Sequence, residues 1–254
     1  RYTTLMSRIP GVTLQAQVPP PGTTDGAAYL VAQASRKPFT STLSATESSR
    51  NGTQALLGLS SNSQTSMGEQ LSLSGLFPPG EDHEQYYRLD YNQFLDAEGT
   101  QLALSASRYR ADPGTNVLTD NGLELEPHRE NDRYSIGLSH PLIASPNEQL
   151  SVSSRVYAVN DKTRYKVVGF PLSVDINSDV RALAFEGDWR KADAKQLRIL
   201  SGGVYQGIDG MGADTNNTDL DLDFFRLRLS GVQRDRFFDN WQGVLSAALY
   251  WSDD

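Results

Sequence analysis

The chain has 254 residues, with 31 acidic against 23 basic side chains for a formal net charge of −8, and it contains no cysteine. That balance speaks against a nucleic-acid binder, whose footprint is a basic stripe, and the missing thiols exclude a disulfide framework or a thiolate metal site. No run of about 18 apolar residues exists, so no transmembrane helix is expected; a transmembrane barrel stays open because its strands are only half apolar.

The first 36 residues differ from the rest. "RYTTLMSRIPGVTLQAQVPPPGTTDGAAYLVAQAS" reads as the end of a helix and a stop at Pro10-Gly11. Two strands follow, near Val12–Val18 and Ala27–Gln33, across a Pro/Gly-rich turn. A helix end and two strands cannot bury a core alone. Residues 1–36 are therefore expected to be the C-terminal part of a small α/β domain, and the chain, starting at Arg1 without a leader, a mature or trimmed fragment.

From Phe39 onward strand follows strand. About eleven are expected, most near the ~9–11 residues of a tilted membrane-spanning strand. They fall near Phe39–Glu47, Thr53–Ser61, Glu69–Leu76, Gln85–Leu95, Thr100–Arg110, Asp132–Ile143, Gln149–Val159, Ser178–Arg190, Lys195–Gly207, Phe224–Arg234 and Trp241–Trp251. Tight turns ("DAEG" 96–99, "ASPNE" 144–148, "KADA" 191–194, "RFFDN" 236–240) alternate with long polar segments at Ala111–Glu130, Asn160–Asn177 and Ile208–Asp223. In an antiparallel sheet that puts every short turn at one end and every long loop at the other, the asymmetry of outer-membrane barrels.

"ENDRYSIGLSHPLIASPNEQLSVSSRVYAVN" shows the two faces, with Tyr134, Ile136 and Leu138 alternating against Ser135, Gly137 and Ser139. The apolar face is expected to collect Tyr87/Leu89/Tyr91, Leu102/Leu104, Ile136/Leu138, Val152/Val156, Leu183/Phe185/Trp189, Leu197/Ile199/Tyr205, Phe225/Leu227/Leu229 and Leu245/Leu249/Trp251, with Arg108 and His140 as misfits. The polar face carries serines and the candidate functional charges: Arg88, Asp90, Arg155, Glu186, Asp188, Arg190, Arg198, Arg226 and Arg228, with Gln206 beside them and Arg181 ambiguous by alternation. A soluble β-sandwich is the competing fold. Its strands average nearer 5–6 residues, and its solvent face is richer in Lys and Thr than this one. The expected fold is thus all-β, an antiparallel transmembrane barrel over residues 37–254, oily side to lipid and polar side lining a wet lumen. An odd strand number and the ending "YWSDD" lead to the expectation that further strands follow Asp254.

A family resemblance accompanies this reading. "RIPGVTLQAQVPPPGTTDGAAYLVAQA" resembles the end of the last periplasmic POTRA domain of two-partner secretion transporters, the haemolysin secretion/activation proteins. "RNGTQALLGLSSNSQTSMGEQLSLSGLF" is similar to that family's first strand pairs, and "YYRLDYNQFLDAEGTQLALSASRYR" to the next pair. The resemblance runs through essentially the whole chain in order and spacing. It implies POTRA domains leading into a sixteen-stranded outer-membrane barrel, with the POTRA end periplasmic and the long loops extracellular. The implied activity is export of one secreted exoprotein partner of the adhesin or haemolysin type. The family's V-R-G-[FY] loop motif and its later aspartate motif are absent from residues 1–254; "FEGDW" (185–189) superficially resembles the latter but lies in an earlier strand, and no role is carried over to it. A barrel-assembly protein of BamA type, a passive porin, and an outer-membrane protease or lipase are the alternatives.

No enzyme activity, cofactor or metal is expected. His83 ("PPGEDHEQ") and His128 ("ELEPHREND") sit in polar segments with no metal-ligand spacing, and Ser139 and His140 point to opposite faces of one strand. No G-x-S-x-G elbow, P-loop or dinucleotide fingerprint occurs. "DGMGADTNNTDLDLD" (209–223) is carboxylate-rich without EF-hand spacing and reads as a hydrated loop. The polar-face charges have two readings: a lateral network that braces the barrel and holds a plug or folded-in loop, or simple solvation of a channel. The expected partners are a secreted exoprotein and outer-membrane lipid, with no nucleic acid.

Overall fold

A computed structural model describes residues 1–19, 29, 31–48, 52–77, 84–112, 116–119, 121–218, 220–237 and 241–253, with the side chains of 48 and 52 left aside. A one-turn helix α1 (Tyr2–Met6) leads into β1 (Val12–Gln17), which pairs antiparallel with β2 (Val31–Arg36) from Val12↔Arg36 to Gln17↔Val31. The second strand thus begins four residues later than the alternation suggests; most of the expected Ala27–Gln33 start, like His83, lies outside the described residues.

The remainder is one antiparallel sheet. Its strands are β3 (Phe39–Ser48), β4 (Gly52–Asn62), β5 (Gln70–Phe77), β6 (Gln85–Phe94), β7 (Gln101–Ala111), β8 (Val117–Leu118), β9 (Glu124–Ala144), β10 (Glu148–Val167), β11 (Ser173–Ala192), β12 (Gln196–Gly207), β13 (Asp214–Thr215), β14 (Phe225–Phe237) and β15 (Trp241–Ser252). Eleven of them form a meander in which each pairs with its predecessor, from β3 at one edge to β15 at the other; β8 and β13 are short additions on β9 and β11. Each of the eleven expected strands is present.

The turns at one end are built by short polar side chains. Asp193 accepts the backbone N–H groups of Lys195 and Gln196, both at 2.8 Å, and Ser145 closes 145–148 by bonding both the N–H and the carbonyl of Glu148. Gly99, at φ 95°, supplies the left-handed residue that the 95–100 turn requires.

Two of the expected long loops are mostly strand. β10 continues to Val167 and β11 starts at Ser173, and β9 already runs from Glu124, so a three-stranded ribbon rises past its neighbours. Apolar periodicity cannot see this ribbon because charge, not oil, alternates along it. Arg164 holds Asp175 through two bonds of 2.8 and 2.9 Å, and Arg129 reaches Asp161 at 3.1 Å. The remaining loop residues cover the ribbon's flanks. Val117 and Leu118 pair with Leu125 and Glu124, while Asp214 and Thr215 pair with Asp179 and Ser178. Asn216 then bonds the N–H of Asn177 and the carbonyl of Asp175, each at 2.8 Å.

No second layer packs on the sheet among the described residues; each strand contacts only its hydrogen-bonded neighbours, apart from α1 against β1 and β9. The apolar face is bare: Leu73, Leu89, Ile136, Phe185, Leu229 and Leu249 are 46–63 % exposed. The opposite face is more enclosed, with Ala184 at 1 % and Ala182 at 7 %, as on the concave side of a curved sheet where side chains converge.

Candidate functional site

The register fixes which side chains share the concave wall. One row across the sheet reads Ala103, Gly137, Arg155, Ala184, Tyr205, Arg226 and Ser252; the next reads Ser139, Ser153, Glu186, Gly203, Arg228 and Tyr250. Small residues at Gly137, Ala184 and Gly203 leave room for the long ones beside them. A Cβ on Gly203 would lie 2.8 Å from the Tyr205 hydroxyl.

Four of the candidate charges meet here around tyrosines. Glu186 accepts the Tyr205 hydroxyl at 2.7 Å and lies 3.8 Å from the Arg155 guanidinium, which donates to the Tyr157 hydroxyl at 3.0 Å. Arg226 stacks 4.3 Å over the Phe224 ring and Arg228 6.0 Å over Tyr250. Asp188, one row nearer the turns, accepts from Ser201 at 2.6 Å. Arg88 and Asp90 form a separate bidentate pair at 2.7 and 2.9 Å on β6, away from this cluster. Arg190 stands on the same wall near the turn end, opposite Gln149 and Ile199.

The assignment of one strand changes. Arg198 pairs with Lys191 and Gln233, on the apolar face with Trp189 and Leu200, so it does not belong to the wall. With it the whole phase of β12 inverts: Leu197, Ile199 and Tyr205 point to the polar side, and Gln206 to the other. Both phases of "LRILSGGVYQ" contain apolar residues and Gly202-Gly203 carry no side chain, so alternation alone cannot choose; pairing with β11 does. Arg181, left open by alternation, sits on the apolar face, where its guanidinium bonds Asn160 Oδ1 at 2.9 Å.

Sequence reasoning missed the aromatic half of this surface. Alternation assigns Tyr157, Phe224 and Tyr250 to neither face, and their clue is position: each lies within two residues of a wall arginine or directly across from one.

The misfits of the apolar face have partners. Arg108 makes a bidentate pair with Asp132, both bonds 2.7 Å, toward the loop end. At the turn end His140 Nδ1 lies 2.9 Å from the Thr100 hydroxyl, which itself donates to Asp96. The Asp96 carboxyl is held below its ordinary value by that hydroxyl and then by the Thr100 backbone N–H. Since the carboxylate bonds the hydroxyl and not the imidazole, this is a turn brace and not a nucleophile relay.

The N-terminal segment seats on the same turn end. Leu5 is buried, Arg1 and Tyr2 engage Glu98, Arg8 donates to Gln149 at 2.9 Å, and Ser63 donates to the Pro10 carbonyl at 2.7 Å. Asn62, 1 % exposed, bonds the Lys37 carbonyl and accepts from Gln70 at 2.9 Å. Between segment and turns lies an apolar cavity of about 800 Å³ lined by Leu5, Met6, Ile9, Met67 and Phe94.

Among solved structures the chain matches CdiB from Escherichia coli with a TM-score of 0.73 at 14 % identity, over 98 % of this chain and 47 % of that one. The chain shares its fold with CdiB. CdiB from Acinetobacter baumannii matches with a TM-score of 0.57 at 13 % identity, over 98 % of this chain and 46 % of the other. The chain therefore spans about half the length of either CdiB structure. No protein-family model and no curated protein matches the sequence.

Proposed function

We propose that this chain forms part of an outer-membrane pore that exports a partner exoprotein of the adhesin or haemolysin type by two-partner secretion. The observation that carries the reading is a curved sheet of CdiB fold whose oily convex face is uncovered while its concave face is polar and charged. Lipid is the medium that suits the first face, and water the second. The sequence resemblance to two-partner secretion transporters points the same way by a separate route. On this reading residues 1–36 are the end of a periplasmic POTRA domain, the short turns are periplasmic and the tall ribbon is extracellular.

An extended polypeptide needs a wall that wets it without holding it. Serines, alternating charges and tyrosine hydroxyls offer many weak bonds, and the Arg155–Glu186–Tyr205 cluster spends much of its bonding capacity internally. No nucleotide motif occurs in residues 1–254, so the driving force assigned here is folding of the partner outside the cell.

Deleting the gene and fractionating the cells tests the proposal. One exoprotein should accumulate in the periplasm while other outer-membrane proteins stay at normal levels. General loss of outer-membrane barrels would replace export by barrel assembly, and loss of small-solute uptake alone would replace it by a porin.

A further inference from the structure

The concave wall is not balanced in charge. From β10 to β15 its strands carry Arg155, Arg190, Arg226, Arg228, Arg234 and Arg236 against Asp161, Glu186 and Asp188. That bias runs against a chain whose formal net charge is −8. β14 supplies the last four of these arginines, all on its concave side, from Arg236 at the turn end to Arg226 toward the loop end.

The excess is sharpest at the turn end. Arg190 shares a row with Gln149, Ile199 and Val232; Arg234 stands in the next row, opposite Leu197, and Arg236 one row further, opposite Gln242. With Lys195 they border a cleft of about 220 Å³, where Asp193 is the one carboxylate among the described lining residues. Asp193 Oδ1 takes the two N–H groups of its own turn. Asp239 lies outside the described residues, and counting it as well leaves four cations against two carboxylates. Glu148 and Asp235 stand on the convex face, where Glu148 holds Trp189 and Lys191 and Asp235 accepts from Gln233. Arg190, Arg234 and Arg236 are exposed and enter no ion pair among the described residues. Arg8 adds a further cation nearby by donating to Gln149, directly across from Arg190.

We propose that this wall takes up acidic stretches of the exported polypeptide, which enter at the Arg190–Arg234–Arg236 cleft and pass on to Arg228 and Arg226; the inference rests on the export reading above. Alternate residues of a strand repeat every ~7 Å, and so do those of an extended peptide. Carboxylates two residues apart therefore meet Arg234 and Arg236 together, or Arg228 and Arg226 together, and the two pairs lie about 20 Å apart along β14. A guanidinium takes a carboxylate through two parallel N–H bonds. Each exposed pair is weak, so a segment is held at several points at once and released one point at a time. A basic stretch meets repulsion instead, and the field of the cleft steers the acidic one toward the mouth.

The test uses the full-length protein in nanodiscs of uncharged lipid and three fluorescent peptides of equal length, alternating Asp-Ser, Asn-Ser and Lys-Ser, with binding read by fluorescence anisotropy. The Asp-Ser peptide should bind about 10-fold more tightly than the other two, and that advantage should shrink as salt is raised. The triple variant Arg190→Gln, Arg234→Gln, Arg236→Gln should lose it, and Arg198→Gln, at the turn end of the opposite face, should keep it. Insertion of each variant into the nanodisc shows that it folds. Equal binding of the three peptides, a triple variant that binds like the parent, or displacement of the Asp-Ser peptide by an equal concentration of inorganic phosphate overturns the inference. Each of those results leaves the export reading to be judged by where the exoprotein accumulates in the deletion strain. Failure of the parent protein to enter the bilayer overturns both.

Discussion

Leu5 and Gly99 touch across the joint between α1 and the barrel turns: a Cβ placed on Gly99 would lie 2.9 Å from Leu5 Cδ2 and 2.9 Å from Pro141 Cγ. Gly99 also holds φ 95°, a conformation strained for any side chain. Gly99→Val is therefore expected to destabilise the protein by about 1–3 kcal/mol through overpacking and backbone strain. Thermal melting in detergent measures the loss, and proteolysis of the N-terminal segment should accelerate with it. An unchanged melt with unchanged cleavage would mean that the contact is slack.

Asn62 is the fully buried polar side chain of the same joint. Asn62→Leu removes a donor to Lys37 and strands the Gln70 amide, so a loss of about 1–3 kcal/mol is expected. Denaturant midpoints check this, and a stabilised variant would contradict the bonding described.

Leu138 and Ser153 lie on opposite faces of paired strands. In the membrane reading Leu138→Arg should cost about 2–4 kcal/mol and impair insertion, because it puts a charge in hydrocarbon, while Ser153→Arg on the wet wall should be tolerated. Heat-modifiable migration of the folded barrel on gels reports both. Equal tolerance would leave water, not lipid, against Leu138.

Tyr205 links β12 to Glu186 on β11. Tyr205→Phe keeps the ring and removes that bond, for an expected loss near 1 kcal/mol. Glu186→Gln should lose a similar amount by weakening the hold on Arg155, and the double variant should cost less than the two losses added. A double-variant cycle by chemical denaturation measures the coupling; strict additivity would separate the two residues.

Acid should loosen the turn end. Thr100 holds the Asp96 carboxyl below its ordinary value, the Lys195 and Gln196 N–H groups do the same for Asp193, and Thr65 for Glu69. A depressed carboxyl stabilises the fold above its unfolded pKa, and that contribution disappears as pH falls through the folded value. Amide exchange at Thr100 and Lys195, corrected for intrinsic rates, should show faster opening below about pH 4 and no change between about pH 6 and 8. Asp96→Asn should abolish the acid response at Thr100 alone.

Where oil and water alternate along a strand, sequence sufficed: Tyr134, Ile136 and Leu138 against Ser135 and Ser139 placed both faces before any pairing was known. Where charge alternates with charge, as from Asn160 to Val167, no oily period exists and the strand reads as loop. Cross-strand partners such as Asp175 for Arg164 become visible only when the register sets them side by side. Arg198 eludes alternation for a related reason, a strand oily in both phases. Tyr205 reads as oily by its ring, although its hydroxyl decides its place. Asn62 gave no signal at all, since a buried amide looks like any surface asparagine until its neighbours are in position.

The flanks of the tall ribbon carry a further meaning. With Leu118 along one side and Asn216 along the other, few backbone groups there stay open for strand addition. Any extended segment that comes alongside this mast, one from a second copy included, finds little template to copy and has to supply its first rung from its own residues.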